Sequence, residues 1–332
     1  MGNILSQFFF IPQPSITEKN CPDQTGRVFF VTGGYAGVGI ELCTILYSHN
    51  ATVYIAGRSE PKAQKAILNI KKLYPRSAGH LEFIDLDLAD LSSIKPAIEA
   101  FTTIQQRLDV LVNNAGVMFP PEGSTSAQGH ELQVATNCLG PYLLYQLLLP
   151  ILTTTAASSP TGSVRVAWAG SIAVHVASPG PHGIQLDSSG CPSDKGVMPN
   201  YGQTKVANAI MAREFAKTTP QTGIVHAAFN PGNLRSELQR HWQGLGRSFT
   251  VSGYIDVNFL CYPPINGAYT ELWSALAPEL TPDKSGAYVF PWGRFGSLPA
   301  GVEESLRGKA EGGSGIAETF LAWCRQQTEA FF

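Results

Sequence analysis

Short apolar runs and longer amphipathic stretches alternate along most of this chain. The runs at 28–31, 52–56, 81–84, 110–113, 164–169, 225–229 and 287–290 are mostly dense in aliphatic residues. Such runs predict strands buried on both faces. Between them, apolar positions at helical spacing predict helices over 38–49, 61–73, 91–106, 129–152, 201–218 and 266–277. Strand-helix alternation of this kind specifies an α/β fold: a parallel, doubly wound sheet with helices on both faces and right-handed crossovers. No internal repeat is visible.

Three stretches depart from the pattern. Residues 153–162, rich in Thr, Ala, Ser and Pro, read as a surface loop. Residues 178–199 form a long Gly-, Pro- and Ser-containing connection, and loops of that length in a compact domain are usually functional or mobile. Residues 234–264 carry Trp242, Phe249, Tyr254, Phe259 and Tyr262; a segment that binds an apolar substrate and a packed lid explain these aromatics equally. The organisation expected is an arm over 1–24 and a single domain over 25–332.

A chain of 332 residues can bury a sizeable core. Only 14% of residues are charged, the net charge is −2 and no Lys/Arg run forms a patch, which argues against nucleic acid as a partner. The six cysteines and seven histidines are scattered without metal-ligand spacing, so no metal is expected and the thiols read as free in a reducing, cytoplasmic setting. No apolar run reaches membrane-spanning length; the longest, 142–152, is about one buried helix. At the N-terminus, Gly2 and Ser6 fit the myristoylation pattern ahead of Phe8-Phe9-Phe10-Ile11. The preferred reading is an arm that packs these aromatics on the domain or on a partner. Membrane association through Gly2 is the alternative, and a single acyl chain would make it marginal.

The densest chemistry lies in Thr32-Gly33-Gly34-Tyr35-Ala36-Gly37-Val38-Gly39, between the first predicted strand and helix. Glycines let the backbone turn tightly and approach a pyrophosphate, and the helix N-terminus offers N–H groups and partial positive charge to it. Further along, in order, come Asn113-Asn114-Ala115-Gly116, Asn137, Ser171, Tyr201-Gly202-Gln203-Thr204-Lys205 and Pro231-Gly232. Tyr201 and Lys205, four apart on a predicted helix, share a face. A phenol is a poor acid near neutrality, and an ammonium beside it should lower its pKa toward the working range.

With these motifs the chain resembles the short-chain dehydrogenase/reductase superfamily, in its Thr-Gly-x-x-x-Gly-x-Gly and Tyr-x-x-x-Lys group. Within it, the retinol-dehydrogenase-like and fungal natural-product reductases are the most similar. The resemblance implies a single Rossmann-type domain and a substrate-binding segment at 234–264. It implies catalytic roles for Tyr201 as proton donor, Lys205 as partner to the phenol and the nicotinamide ribose, Ser171 as holder of the carbonyl oxygen, and Asn137 as support for a proton relay through water. A helix kink bonded to backbone is the alternative, and compatible, role of Asn137. The family commonly has Ser-Ser where this chain has Gly170-Ser171, and Trp168 nearby either shapes the site or faces the core.

For the cofactor, the resemblance assigns Gly33, Tyr35, Ala36, Gly37, Val38 and Gly39 to the phosphates, with Tyr35 departing from the usual Asn or Ser. Asp87 falls near the adenine, where a strand-end cap is the alternative; Asn114, Ala115 and Gly116 form a turn beside the cofactor. Pro231, Gly232, Leu234 and Ser236 fall near the nicotinamide. Relatives that use NAD place an acid after the second strand, whereas this chain has Arg58-Ser59. A guanidinium grips a phosphate bidentately, so Arg58 and Ser59 point to the 2′-phosphate of NADP(H). The expected activity is NADPH-dependent reduction of a ketone or aldehyde on a hydrophobic small molecule. The alternatives are an NADP-dependent alcohol dehydrogenase on a retinoid- or steroid-like substrate and a non-redox NADP-binding scaffold. The resemblance also leaves open a homodimer through the helices holding 142–152 and 201–218; a core helix explains the first of these equally well.

Overall fold

A computed structural model describes residues 2–235 and 261–332 of the chain. Seven parallel strands, β1 (Val28–Thr32), β2 (Thr52–Gly57), β3 (His80–Asp85), β4 (Val110–Asn113), β5 (Arg165–Ala169), β6 (Val225–Phe229) and β7 (Ala287–Phe290), coincide with the predicted ones to within a residue at either end. An unpredicted eighth, β8 (Arg294–Gly296), pairs antiparallel with β7. Three residues are too few to show a period. The sheet order is β3-β2-β1-β4-β5-β6-β7-β8. The chain works outward from β1 to one edge and then restarts at β4 on the other side of β1. The carboxyl ends of β1 and β4 are therefore the switch point, where such sheets leave a crevice for ligands.

The helices are α1 (Gly2–Phe8), α2 (Gly37–Ser48), α3 (Glu60–Leu73), α4 (Leu91–Ile104), α5 (Leu132–Ala157), α6 (Ala173–Val176), α7 (Val197–Thr218), α8 (Pro264–Leu276), α9 (Ala300–Ser305) and α10 (Ile316–Thr328). Every residue of β1 is buried. Phe29 and Val31 point into a layer shared with α2, α3 and α8, while Val28 and Phe30 point into one shared with α4, α5 and α7. Successive side chains of a strand leave opposite faces, so an unbroken apolar run is what a two-sided sheet requires. Phe101 of α4 stands edge-on to Phe30 at 5.3 Å and to Tyr54 at 4.8 Å, fixing that helix over β1 and β2.

The predicted helix at 129–152 begins and ends a few residues later, so that part of the expected 153–162 loop is helical. α5 is the one helix among the described residues long and apolar enough to cross a membrane, and it is largely buried inside the protein. Tyr142, Leu143, Leu144, Tyr145, Leu148 and Leu152 all face the core, joined there by Phe320, Trp323 and Cys324 of α10. Burial thus explains the apolar face at 142–152. Trp168 likewise faces the core, fully buried, its indole N–H reaching His226 Nδ1 at 3.4 Å.

The 178–199 connection is tied to α7 by the side chains of Gln203 and Asn200, the latter accepting from Lys195 N (2.8 Å) and donating to Asp194 Oδ1 (2.8 Å). Gln203 accepts from Gln185 N (2.9 Å) and donates to Ser193 O (2.9 Å). Gly202 lets the connection pass: a Cβ there would lie 2.6 Å from the Ala177 carbonyl.

Candidate active site

After β1 the chain turns at Gly33 (φ 68°) and Gly37 (φ 55°), left-handed conformations that a Cβ would penalise. Gly39 has another reason to lack a side chain. A Cβ there would lie 2.7 Å from both Gly33 O and Asn114 Nδ2, so glycine lets α2 start against the turn and the end of β4. Asn114 Nδ2 donates to Thr32 O (2.8 Å) and Ala115 N donates to Thr32 Oγ1 (3.0 Å), stitching the ends of β1 and β4 together. The N-cap of α2 is Ala36, and no side chain caps it. The first N–H groups of α2 therefore have no capping partner and face the crevice.

That crevice holds about 460 Å³ and is lined by Gly33, Tyr35, Ala36, Gly37, Val38, Arg58, Ser59, Asp87, Asn114, Ala115 and Gly116. Thr32, Gly57, Lys62, Val117 and Thr136 also line it and were not anticipated. The Tyr35 ring packs on Gly57, where any Cβ would collide with it. Asp87 Oδ1 accepts from Ala89 N (2.9 Å), so the strand-end cap is real and sits on the crevice wall. Arg58 is exposed at the lip and makes no hydrogen bond or ion pair with another described residue. Ser59 N-caps α3 without a side-chain capping bond, which puts a second open helix end beside Arg58.

The four candidate catalytic residues lie beyond Gly116. A Cβ on Gly116 would sit 3.0 Å from Asn137 Oδ1 and 3.6 Å from Lys205 Nζ. Asn137 falls in a π-helical turn, Ala135–Leu139, inside α5; π-turns mark functional sites frequently. Its Oδ1 accepts from Val117 N (2.8 Å), and its Nδ2 donates to Val117 O (3.0 Å) and Thr204 Oγ1 (3.0 Å). The Thr204 hydroxyl in turn donates to Tyr201 O (2.8 Å). Kink and backbone bonding, the alternative role foreseen for Asn137, are both present.

Tyr201 and Lys205 are buried one turn apart on α7. Lys205 Nζ donates to Ala169 O (2.8 Å), a carbonyl shared with Asn208 Nδ2 (2.8 Å), and lies 5.5 Å from the Tyr201 ring centre. Ser171 follows β5; its Oγ accepts from Ala173 N (3.1 Å), and its hydroxyl is close enough to Tyr201 to favour the charged form of the phenol.

A family model described as short chain dehydrogenase matches residues 27–180. A short-chain dehydrogenase/reductase of Phomopsis amygdali is 42% identical, over 100% of this chain and 98% of that protein. The chain belongs to the short-chain dehydrogenase/reductase family of oxidoreductases. Another member, bet4 of Neocamarosporium betae, is 37% identical over 97% of this chain and 92% of its own. Among solved structures, the Pseudomonas aeruginosa RhlG/NADP active-site complex aligns with a TM-score of 0.52 at 26% identity, over 67% of this chain and 78% of that one. A short chain dehydrogenase from Shigella flexneri, complexed with NADP, shares the fold with a TM-score of 0.60 at 20% identity, over 81% of this chain and 98% of its own.

This dehydrogenase/reductase corrects one electrostatic expectation. Burial pushes the Tyr201 phenol up to about 12, opposed by its hydrogen bond to Ser171. Desolvation outweighs any pull from the Lys205 ammonium, which donates to the Ala169 carbonyl and is itself pushed down to about 8 by burial.

The Pro231-Gly232 turn does not line the crevice; Gly232 (φ 96°) faces Pro291 and Trp292. Leu234 and Val38 both approach Gly267 of α8, bringing this turn and the start of α2 to the same point. Ser236, Trp242, Phe249, Tyr254 and Phe259 lie outside the described residues. Tyr262 stands edge-on to Trp292 at 4.8 Å and donates to Phe8 O (3.1 Å).

The N-terminal arm reaches the same turn. Gln7 Oε1 accepts from Asn230 Nδ2 (2.8 Å), and Asn230 Oδ1 accepts from Gly232 N (3.0 Å). Arg294 donates to Ser6 O. Polar groups and Ile11 anchor the arm; Phe9 and Phe10 do not pack on the domain, and Phe10 is 100% exposed.

Two further residues had no sequence signal. Phe119 stands edge-on to Tyr201 at 5.6 Å and has φ 52°, unusual for a bulky side chain. Fully buried Gln133 accepts from Phe119 N (3.1 Å) and donates to Val197 O (2.9 Å), tying the Phe119 turn to the start of α7. With Met118 and Ala173, Phe119 makes the surroundings of Tyr201 apolar.

Proposed function

We propose that this protein reduces the carbonyl of a hydrophobic small molecule with NADPH. The observation that carries the reading is buried Tyr201 with buried Lys205 one helical turn on and Ser171 beside the phenol, just past the inner end of a nucleotide-sized crevice. The uncapped start of α2, with left-handed glycines before it, fits a pyrophosphate. Arg58, Ser59 and Lys62 at the lip fit a ribose phosphate. The Pseudomonas aeruginosa relative was solved with NADP.

NADPH, when bound, supplies the hydride to the carbonyl carbon. The Tyr201 hydroxyl gives its proton to the carbonyl oxygen as negative charge develops there. Raised well above neutrality, the phenol stays protonated and available as an acid. Ser171, its Oγ held by Ala173 N, directs its own proton toward the same region. Charged Lys205 stabilises the phenolate left behind, and Asn137 holds the Val117 backbone against the turn that carries Tyr201. Phe119 and Met118 favour an apolar substrate by excluding water.

Two experiments test the reading. Arg58→Ala should weaken NADPH binding about tenfold to a hundredfold, as expected for loss of charged hydrogen bonds, while NADH changes less than about twofold. Equal losses, measured by fluorescence titration, would sink the 2′-phosphate argument. In the second, NADPH deuterated at the pro-S C4 position is incubated with the protein and a metabolite extract. A labelled alcohol absent from the Tyr201→Phe control identifies the substrate class. Absence of label from either face of NADPH, with binding intact, counts against the reductive reading.

A further inference from the structure

We propose that Tyr288 is a positioning residue for Ser171, and that Gly170 is glycine because Tyr288 fills the space beside it. The proposal rests on the reduction chemistry above, in which Ser171 meets the carbonyl oxygen. Tyr288 lies on β7, outside the 27–180 match to the family, and is 3% exposed. Its hydroxyl donates to Ser171 O (2.9 Å), and Ser171 N donates back to the Tyr288 hydroxyl oxygen (3.3 Å). Ser171 has left β5 and not yet entered α6: no strand ladder satisfies its N–H, and its C=O accepts a turn bond from Val174 N (3.2 Å). The phenol bonds both groups and is the partner of the N–H. With the backbone held by the phenol and Oγ held by Ala173 N, the Ser171 side chain is fixed beside Tyr201.

The second observation is steric. A Cβ on Gly170 would lie 2.9 Å from the Tyr288 hydroxyl oxygen, 3.0 Å from its Cε2 and 2.9 Å from Phe229 O. The hydroxyl beside Ser171 comes from a distant strand, and Gly170 and Tyr288 form one unit. Burial holds the Tyr288 phenol above its ordinary range, so it remains a donor throughout the working pH.

Tyr288→Phe keeps the ring and removes both hydrogen bonds. With NADPH and phenanthrenequinone as probe carbonyl, kcat should fall about tenfold, the worth of a hydrogen bond near the reacting groups, with NADPH affinity within about twofold of native. If Tyr288 acts through Ser171, the Tyr288→Phe/Ser171→Ala double variant turns over like Ser171→Ala alone. Losses that multiply, or native turnover in Tyr288→Phe, overturn the proposal. Gly170→Ala should cost less beside Tyr288→Ala than in the native chain; equal costs refute the shared space.

A readout independent of turnover is NMR of protein carrying carbon-labelled tyrosine, with the Tyr201 signal assigned from its loss in Tyr201→Phe. That signal should move in the same sense in Tyr288→Phe and Ser171→Ala, and an unmoved signal in Tyr288→Phe overturns the proposal. Native turnover in both Ser171→Ala and Tyr201→Phe removes the reduction reading instead, and the NMR comparison then decides on Tyr288 by itself.

Discussion

Tyr201→Phe lowers kcat for carbonyl reduction about a thousandfold while NADPH still binds, the scale on which loss of a positioned general acid is felt. The substitution deletes one oxygen. The ring keeps its edge-on contact with Phe119 at 5.6 Å and its place among Met118 and Ala173, so the site survives apart from the missing proton. Steady-state rates and NADPH fluorescence titration on the same preparation check the two halves. A kcat near native would mean that the proton comes from elsewhere. The lost phenol also leaves a trace in stability. Its folded pKa of about 12 exceeds the ordinary 10.0, so it favours the folded state below pH 10, and that contribution is lost as pH rises through about 12. Native protein should therefore lose stability in that alkaline window more steeply than the variant.

Lys205→Ala lowers kcat/KM a hundredfold to a thousandfold, the range typical for removing an electrostatic stabiliser of developing charge. The Ala169 carbonyl keeps Asn208 Nδ2 as donor, so no buried acceptor is orphaned. In the native enzyme, kcat/KM for reduction falls above about pH 8 as buried Lys205 gives up its proton, and the variant lacks that limb. The sign can be checked on folding as well. Burial lowers the pKa from 10.5 to about 8, so the unfolded chain binds more protons between those values and stability rises with pH there. Lys205→Met, which removes the buried charge at similar volume, should unfold at higher denaturant than native at pH 7, and the gap should narrow toward pH 10. A pH-independent gap would place the cause in packing rather than charge.

The parallel strands other than β3 were legible because each is buried on both faces, so its aliphatic run needs no partner to be recognised; β3 exposes His80, Glu82 and Asp85 and shows itself through Leu81, Phe83 and Ile84. β8 and the C-terminal helices α9 and α10 were missed. β8 is three residues long with Phe295 exposed, and α10 has its apolar stripe explained only by the α5 and α7 surface it covers. At the site, Gly33, Gly37, Arg58, Asn114, Ser171, Tyr201 and Lys205 were readable because turn geometry, charge and helical spacing are local properties. Lys62, Phe119, Gln133 and Tyr288 were not, since each matters through a neighbour distant in the chain.

The alternation of the chain determined by itself that this is a doubly wound sheet, whose switch point leaves a crevice. Residue chemistry at fixed local spacing pointed to the family and to the proposed acid, its lysine partner and the cation at the crevice lip. Only the tertiary structure decided that Lys205 points at Ala169 rather than at the phenol, that burial drives the two pKa values in opposite directions, and that Gly170 answers to Tyr288 across the sheet. Desolvation and steric exclusion depend on what packs against a group from every side, and that is a property of the folded chain.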